Sequence, residues 1–453
     1  MTENFAALLD AVARQRGEAP ALAWKAGALS WTALERRAGG VARSLSRQGV
    51  RPGDRLALIV DNVWGFAAGL WGGLKLGATV APLNPLLSGA ERETILEHLA
   101  PAAVLDDVSA DEAEYESVAP RAASLILYTS GSTGRPKGAV LSHPALRAAN
   151  ESWAGPVMRL TPADMVLAAL PLAHSFGLNG ALLAPLLAGA TVALVERFTP
   201  EETLRAIERH RVTVFPAVAT MFQKMLELPA LSPARCATVR CAVSGAAPCS
   251  WELSQAWRER TGVRILRGYG MTELFRPISY LAADATDRPD SIGRAVPGVE
   301  LRVVEDELWI RSPAAMDGYL RAPEETAAVL ADGGWFRTGD LASISDDGYV
   351  SIVGRKRELI LRGGYSVVPG EVEAALLGHP AVAEAAVIGV AHPELGEEVA
   401  AFVTLRPGAR AEAPELIAFC RERLAGYKYP RRVTVVEEMP RSATGKILKA
   451  KLR

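Results

Sequence analysis

Short apolar runs alternate with amphipathic stretches along the first part of the chain. Residues 31–48 place apolar side chains at helical spacing, and residues 55–61 form an apolar run typical of a buried strand. The same order returns at residues 62–77, predicted to be a helix, and at residues 78–83, predicted to be a strand. Strands that alternate with helices favour a mainly parallel sheet with helices on both of its faces.

The pattern changes in the second half of the chain. Helices and strands continue to alternate from residue 151 to 247, whereas short strands separated by turns follow residue 286. We therefore expect an α/β fold with a large N-terminal domain of stacked αβ sheets plus a β-rich subdomain (residues 1–355) and a small, mobile C-terminal α+β domain (residues 356–453). The boundary is placed at the basic run 354–358 because that run separates two apolar segments.

One segment is long enough to cross a bilayer. Residues 165–195 contain no Asp, Glu, Lys or Arg. Prolines and glycines divide the segment into short pieces, so we interpret it as a buried strand, a loop, a core helix and a second strand, with a membrane span as the alternative. The first 17 residues form an amphipathic, acid-containing helix pattern that differs from a signal peptide.

Composition narrows the classes of function. The chain has 453 residues, of which 49% are hydrophobic and 22% charged, which is enough for a large core and more than one domain. The formal net charge of −1 gives no reason to expect nucleic acid or an anionic membrane as a partner. Four cysteines without metal-ligand spacing are too few for a disulfide framework, and they fit a reducing cytoplasm.

The chemistry is concentrated between two apolar runs, residues 125–128 and 139–141, both predicted to be strands. The segment between them contains two threonines, two serines, glycines and one lysine, and the residues of interest are Thr129, Ser130, Gly131, Ser132, Thr133, Gly134 and Lys137. Backbone N–H groups and hydroxyls in such a loop can surround a phosphate chain, and the lysine adds positive charge. Pro136 and Gly138 distinguish this loop from the Gly-Lys-Ser/Thr loop of common nucleotide-binding proteins. A Ser/Gly loop without a specific role is the alternative.

Three further motifs carry groups that suit ATP chemistry. Glu273 in the run Tyr-Gly-Met-Thr-Glu combines a carboxylate with a neighbouring hydroxyl, which suits Mg²⁺ next to a triphosphate, or it caps the following turn. Asp340, in Trp-Phe-Arg-Thr-Gly-Asp, can accept both hydroxyls of a ribose, or it is an exposed turn residue. Lys446, near the C-terminus in Ser-Ala-Thr-Gly-Lys, supplies a positive charge, or it is a tail lysine.

The sequence YTSGSTGRPKGAVLSH resembles the phosphate loop of the acyl-adenylate-forming superfamily, which includes acyl- and aryl-CoA synthetases, peptide-synthetase adenylation domains and beetle luciferases. The other motifs of that family follow in order from about residue 10 to the C-terminus. The resemblance implies that Glu273 helps to bind Mg²⁺, that Lys137 binds phosphate and that Lys446 contacts the substrate carboxylate and the α-phosphate. These three are the expected catalytic residues.

The resemblance also implies a nucleotide site. Asp340 would bind the ribose hydroxyls, Arg355 would lie near the ribose and phosphate, and Tyr269 would stack near the adenine. With the phosphate loop, the expected ATP- and AMP-binding residues are Thr129, Ser130, Gly131, Ser132, Thr133, Gly134, Gly245, Ala246, Ala247, Gly268, Tyr269, Gly270, Met271, Thr272, Asp340, Ile352 and Arg355.

Three other groups of residues are expected from the same resemblance. Arg357 is the hinge residue, although many members carry Asp or Lys there, and Gly363 and Gly364 line the tunnel for coenzyme A. The expected acyl pocket is formed by His174, Phe215, Ala217, Thr220, Ser244, Leu274 and Arg276. His174 is a pocket wall or gate, with a buried core histidine as the alternative. Arg276 forms a structural salt bridge or meets a polar group of the acid.

The motifs together predict an ATP-dependent carboxylic acid:CoA ligase. The acid would react with Mg·ATP to give acyl-AMP and pyrophosphate, and coenzyme A would then take the acyl group. Transfer to an acyl carrier protein is the first alternative, and a non-catalytic nucleotide-binding protein is the second. Phe215, expected in the wall of the acyl pocket, suggests a medium-chain or aryl acid as the substrate. The protein is expected to be a monomer or a homodimer.

Overall fold

The computed structural model describes residues 3–108, 111–129, 136–284, 287–363, 365–441 and 447–452, with only the backbone described at residue 357. The chain divides into two compact units. The first unit comprises residues 1–301 and 310–336, and the second comprises residues 302–309 and 337–453. These units differ from the division at residue 355 that the sequence predicted, and that division stays a prediction about domain movement.

The α-helices of the described residues begin at capped positions in several cases. Ser30, Ser142 and Ser250 each accept a backbone N–H from the first turn of the helix that follows, which satisfies a donor that has no partner inside the helix. The helices are α1 (Phe5–Arg16), α2 (Trp31–Arg47), α3 (Trp64–Lys75), α4 (Gly89–Leu99), α5 (His143–Ser152), α6 (Ala184–Leu187), α7 (Pro200–His210), α8 (Ala219–Leu226), α9 (Trp251–Thr261), α10 (Pro323–Val329), α11 (Pro369–Leu377) and α12 (Ala413–Arg421).

The strands are short and mostly apolar. Those before residue 300 are β1 (Pro20–Trp24), β2 (Gly27–Ser30), β3 (Arg55–Leu58), β4 (Thr79–Pro82), β5 (Ala103–Leu105), β6 (Leu125–Thr129), β7 (Lys137–Leu141), β8 (Met165–Ala168), β9 (Thr191–Leu194), β10 (Val214–Ala217), β11 (Cys241–Ser244), β12 (Ile265–Leu266), β13 (Gly268–Met271), β14 (Phe275–Ser279) and β15 (Arg294–Ala295). The later strands are β16 (Glu300–Val304), β17 (Glu307–Arg311), β18 (Gly318–Tyr319), β19 (Leu330–Ala331), β20 (Trp335–Ile344), β21 (Val350–Arg355), β22 (Ile360–Arg362), β23 (Tyr365–Val367), β24 (Val382–His392), β25 (Gly396–Leu405) and β26 (Arg432–Val435).

Two sheets of the first unit carry most of its core. One has the order β12-β11-β10-β8-β9-β1-β2 and is parallel except for its edge strand β2. The other has the order β18-β7-β6-β4-β3-β5, in which β6, β4, β3 and β5 are parallel, and β7 pairs antiparallel with both β6 and β18. Strands β4, β9, β10 and β11 are buried along their whole length, which explains their nearly continuous apolar sequences.

The second unit has a core of its own. Strands β23, β22, β25 and β24 form an antiparallel sheet, and β26 joins β25 in parallel. Buried residues of these strands pack with α11 and α12 through Val372, Leu376 and Leu416. This is the small α+β arrangement that the sequence predicted for the C-terminal part, and the α/β fold class is confirmed.

The segment 165–195 folds as β8, a π-helical segment (Gly177–Leu183) continued by α6, and β9. In the part of the chain that the structure describes, no helix is both long and apolar enough to cross a membrane. The core-element interpretation of this segment is therefore the one that agrees with the structure. Strands β16 and β17 are joined by Glu305 and Asp306, both with positive φ, a two-residue turn that accounts for the short hairpin at this point.

Candidate active site

Thr129 and Lys137 lie opposite each other in an antiparallel hairpin. Strands β6 and β7 pair from Leu125 with Leu141 to Thr129 with Lys137, so the two ends of the predicted phosphate loop are next to each other. The predicted loop residues Ser130, Gly131, Ser132, Thr133 and Gly134 lie outside the described residues. The hairpin thus begins its second strand at Lys137, and the binding of phosphate by this loop stays a prediction.

Glu273 lies in the turn of a second hairpin. Strands β13 and β14 pair Tyr269 with Ile278 and Met271 with Phe275, which leaves three residues to turn the chain. Phe275 has a φ of 55°, a left-handed conformation that is unfavourable for a bulky residue. The backbone carbonyl of Glu273 accepts the N–H of Met316 at 2.8 Å. Strain retained next to a predicted metal ligand is a common property of functional sites.

Tyr319 connects these two hairpins. It lies on β18, which pairs with β7 through Tyr319 and Ala139. Its hydroxyl donates a hydrogen bond of 2.7 Å to Oε1 of Glu273, and its ring lies below the Lys137 ammonium, with Nζ 5.2 Å from the ring centre. Lys137 and Glu273, which are 136 positions apart in the chain, are therefore on two sides of one tyrosine.

The donor set fits Mg²⁺. Within the described residues, no group of three or more His, Cys, Asp or Glu side chains could hold a metal by itself. A single carboxylate, Glu273, with the Thr272 hydroxyl beside it in the chain, matches the habit of Mg²⁺ of taking one or two protein oxygens and filling its other positions with phosphate and water. Glu273 would be the residue that holds the ion.

The predicted adenine-side loop begins where β11 ends. Ser244 is the last residue of that strand and Ala246 adopts a left-handed φ of 63°. A side chain at Gly245 would lie 3.0 Å from the Arg276 guanidinium, and one at Gly268 would lie 2.3 Å from it. A Cβ at Gly268 would therefore displace the Arg276 guanidinium, whereas one at Gly245 would be in tight contact with it.

Arg276 is buried and supported by uncharged partners. Its guanidinium donates to the carbonyl of Ser244 at 2.7 Å, to the carbonyl of Leu266 at 3.0 Å and to the Ser279 hydroxyl at 2.9 Å. It also stacks against Trp153 at 5.0 Å. Burial lowers the pKa of Arg276 to about 9.

The structural salt bridge that the sequence suggested for Arg276 is not what the structure shows. No carboxylate lies within 4 Å of its guanidinium in the described parts of the chain. Backbone carbonyls and one hydroxyl take the place of a carboxylate, so the charge is stabilised by dipoles of the protein rather than by an ion pair. Its contact with the acid stays a prediction.

The other predicted acyl-pocket residues occupy different surroundings. His174 is half-buried, its Nδ1 accepts the N–H of Phe176 at 3.3 Å, and burial lowers its pKa, so it is neutral at pH 7. Phe215 is fully buried with its ring 5.3 Å from that of Phe222 in an aromatic cluster with Trp257. Ala217 on β10 and Leu274 are completely buried and Thr220 on α8 is half-buried.

The second unit carries the predicted ribose residue. Asp340 on β20 pairs with Arg355 on β21, and the Arg355 Nε lies 2.9 Å from its Oδ1. The side chain of Asp340 is almost fully buried, and Thr338 Oγ1 accepts its backbone N–H at 3.1 Å. Ile352 lies opposite Ala342 on the same pair of strands. The proximity of Asp340 and Arg355 was expected, but their direct pairing was not.

Part of the predicted site lies outside the described residues, namely Gly364, Lys446 and the side chain of Arg357. Gly363 is a left-handed residue with a φ of 58° at the turn between β22 and β23. Arg441 and Ile447, which precede and follow residues 442–446 in the chain, form an isolated antiparallel bridge. Lys449 follows, with its Nζ 2.7 Å from Glu373 and 3.0 Å from Glu358.

Sequence reasoning missed Tyr319 and Glu307. Tyr319 stands between Gly318 and Leu320 without a polar motif around it, and strand pairing alone brings it to Lys137. Glu307 accepts the backbone N–H of Gly339 at 3.0 Å and lies 3.4 Å from the Lys356 ammonium. Neither contact has a local sequence signal, because both join segments that are distant in the chain.

Comparison with known proteins gives consistent matches over nearly the whole chain. The family model described as AMP-binding enzyme matches residues 9–120 and 106–320, and the model of the AMP-binding enzyme C-terminal domain matches residues 371–446.

Two curated relatives are about equally similar. The 3-[(3aS,4S,7aS)-7a-methyl-1,5-dioxo-octahydro-1H-inden-4-yl]propanoyl:CoA ligase of Mycobacterium tuberculosis is 35% identical over 99% of this chain and 98% of the relative. The feruloyl-CoA synthase of an Amycolatopsis species is 35% identical over 97% of this chain and 96% of the relative. Among solved structures, ATP-bound MatB from Rhodopseudomonas palustris has a TM-score of 0.93 at 30% identity and covers 100% of this chain and 98% of that chain.

Proposed function

The chain belongs to the AMP-binding enzyme family, and we propose that it is an ATP-dependent carboxylic acid:CoA ligase. Among the contacts of the structure, the placement of Lys137 and Glu273 against Tyr319 carries the proposal furthest. It brings a cation suited to phosphate and a carboxylate suited to Mg²⁺ to one place. The substrates are a small carboxylic acid, ATP and coenzyme A.

The first half-reaction forms a mixed anhydride. An oxygen of the substrate carboxylate attacks the α-phosphorus of ATP, the bond from that phosphorus to the bridging oxygen breaks, and pyrophosphate leaves. Lys137 and the loop 130–134 hold the triphosphate, while Asp340 and Arg355 orient the nucleoside. Lys446 neutralises charge between the carboxylate and the α-phosphate. Mg²⁺, when bound at Glu273, would reduce the negative charge of the phosphates.

The second half-reaction transfers the acyl group to sulfur. The thiol of coenzyme A loses its proton and attacks the acyl carbonyl carbon, the bond to the phosphate oxygen breaks, and AMP leaves. The resemblance of the motifs implies a turn of the C-terminal domain at Arg357 that withdraws Lys446 and brings Gly363 and Gly364 into use. Gly363 has a left-handed backbone conformation, and because it has no side chain it leaves space for coenzyme A beside the backbone.

The acid is proposed to be of medium chain length or aromatic. The rings of Trp153 and Phe176 are stacked 5.6 Å apart, and Trp153 in turn contacts Arg276. This aromatic surface lies next to Gly245, since a side chain at that glycine would touch Phe176 at 3.3 Å. The reaction is proposed to take place in the cytoplasm, with the chain acting as a monomer or a homodimer.

The proposal is tested by ATP–pyrophosphate exchange with a panel of acids. We expect exchange that depends on an acid, and release of AMP with formation of a thioester when coenzyme A is added. Exchange without a CoA thioester would favour loading of a carrier protein. A chain that binds ATP but shows no exchange with any acid would be a nucleotide-binding protein without catalysis.

A further inference from the structure

Tyr319 contacts two side chains of opposite charge. Its hydroxyl donates a hydrogen bond of 2.7 Å to Glu273 Oε1, and the Lys137 Nζ lies 5.2 Å from the centre of its ring. In the described part of the chain, neither Lys137 nor Glu273 makes an ion pair within 4 Å. Each charge is thus in place for a ligand rather than neutralised by its neighbour.

Hydrogen bonds hold the backbone of Tyr319 in place. Its N–H donates to Thr326 Oγ1 at 2.9 Å, and the N–H of Leu320 donates to the carbonyl of Gly138 at 2.8 Å. The second bond joins β18 to the residue that follows Lys137 on β7. The backbone that carries the Tyr319 side chain is therefore tied to the strand that carries the lysine.

The phenol hydroxyl of Tyr319 is the donor of its hydrogen bond with Glu273, and Oε1 of Glu273 is the acceptor. Because the hydrogen bond occupies Oε1, the orientation of the carboxylate is set, and Oε2 has no hydrogen-bond partner among the described side chains.

We propose that Tyr319 is a positioning residue: its hydroxyl orients Glu273 so that Oε2 can bind Mg²⁺, and its ring prevents a direct ion pair between Glu273 and Lys137. The inference rests on the proposed function, in which these two residues bind the metal and the triphosphate. Partners that orient a metal ligand commonly change metal affinity by about 10- to 100-fold when they are removed.

The test compares Tyr319→Phe with Tyr280→Phe. Tyr280 is also buried, and its hydroxyl accepts the N–H of Arg288 at 2.9 Å. Mn²⁺ serves as the probe, and its binding to the protein–ATP complex is followed by electron paramagnetic resonance. Binding of ATP in the presence of EDTA is measured in parallel.

We expect Tyr319→Phe to weaken Mn²⁺ binding about tenfold or more and to change metal-free ATP binding less than twofold. Tyr319→Leu, which also removes the ring, should weaken both because Lys137 is then free to pair with Glu273. Tyr280→Phe should match the wild-type protein in both measurements. Equal Mn²⁺ affinity of Tyr319→Phe and wild type, or an equal loss in Tyr280→Phe, would overturn the inference.

The measurements distinguish a failure of the Tyr319 inference from a failure of the proposed ligase function. Mn²⁺ binding needs no acid, so it reports on Tyr319 even if the wild-type protein performs no exchange reaction. Absence of acid-dependent exchange in a wild-type protein that binds Mn·ATP would reject the ligase function alone.

Discussion

The guanidinium of Arg276 donates a hydrogen bond of 2.7 Å to the backbone carbonyl of Ser244, the last residue of β11. The same guanidinium bonds to the carbonyl of Leu266, at the end of β12, so one side chain connects the segments that lead into both predicted adenine loops. Two parallel strands that end at the same edge of a sheet are thereby tied together just before the site.

We predict that Arg276→Met weakens ATP binding more than acid binding. Methionine fills much of the space, but it leaves two buried carbonyls without donors, at a cost of about 1–3 kcal/mol each. The KM for ATP should rise about tenfold or more, with a lower unfolding temperature. Arg147→Met, at an exposed position paired with Glu151, should change neither. A rise in the KM for the acid alone would mean that Arg276 contacts the acid instead.

A buried histidine is predicted to make the protein sensitive to acid. His143 is 2% exposed, its Nδ1 accepts the N–H of Phe5 at 3.0 Å, and its buried Nε2 has no partner among the described residues. Burial lowers its pKa from 6.5 to about 4. The unfolded chain therefore takes up the proton first, so stability is complete above about pH 6.5 and declines as the pH falls toward 4, by about 3 kcal/mol for a shift of this size.

The measurement is urea unfolding as a function of pH, followed by tryptophan fluorescence. Eight of the nine tryptophans, all but Trp309, belong to the first unit, which contains His143. His143→Asn, whose side-chain oxygen can still accept the Phe5 N–H, should reduce the slope between pH 6.5 and 4. His392→Asn serves as a control, because that ring also accepts backbone N–H groups. Identical slopes for wild type and His143→Asn would contradict the prediction.

The spacing of apolar residues predicted several helices and strands close to their observed bounds. The helix predicted at residues 31–48 is α2 (Trp31–Arg47), and the strand predicted at residues 78–83 contains β4 (Thr79–Pro82). Residues 55–61 were predicted as one strand, but β3 ends at Leu58. The apolar character continues past that residue because Ile59 and Val60 are buried outside the strand, and hydrophobicity reports burial rather than backbone pairing.

Contacts between distant segments were less accessible to sequence reasoning. The two strands on either side of the glycine-rich loop were expected, whereas their antiparallel pairing, which places Thr129 opposite Lys137, was not predicted. The contact of Tyr319 with Glu273 depends on the pairing of β18 with β7, which brings together residues about 180 positions apart, and no local pattern encodes that register. The surroundings of Arg276 were missed for the same reason, since its acceptors are backbone carbonyls.

A buried ion network should be important for stability but not for catalysis. Lys75 is 1% exposed, and its Nζ lies 2.7 Å from Asp10 and 2.6 Å from Glu35, so it joins α1, α2 and α3. Removing one partner of a buried pair leaves uncompensated charge and costs about 3–5 kcal/mol. We predict that Lys75→Met lowers the free energy of unfolding by about 3 kcal/mol, measured by urea denaturation, and leaves kcat within twofold. A larger loss of kcat than of stability would show a role in the reaction.

Substitution of Lys446 is predicted to slow the first half-reaction and to leave the second almost unchanged. In the proposed mechanism this lysine acts only while the carboxylate and the α-phosphate react, because charge develops there and not at the later thioester step. Lys446→Ala should therefore reduce ATP–pyrophosphate exchange by a few hundredfold or more, which corresponds to about 3–4 kcal/mol of transition-state stabilisation. Formation of the thioester from supplied acyl-adenylate and coenzyme A should stay within a few fold of wild type.

Lys451 offers a matched control for this experiment. It is an exposed lysine five positions further along the chain, beyond Lys449, whose ammonium is held by Glu358 and Glu373. Lys451→Ala should leave both half-reactions unchanged, so that a general effect of losing a C-terminal positive charge is excluded. If Lys446→Ala slowed both half-reactions equally, the lysine would not be specific to adenylation, and the proposal that the C-terminal domain turns between the two steps would lose its main support.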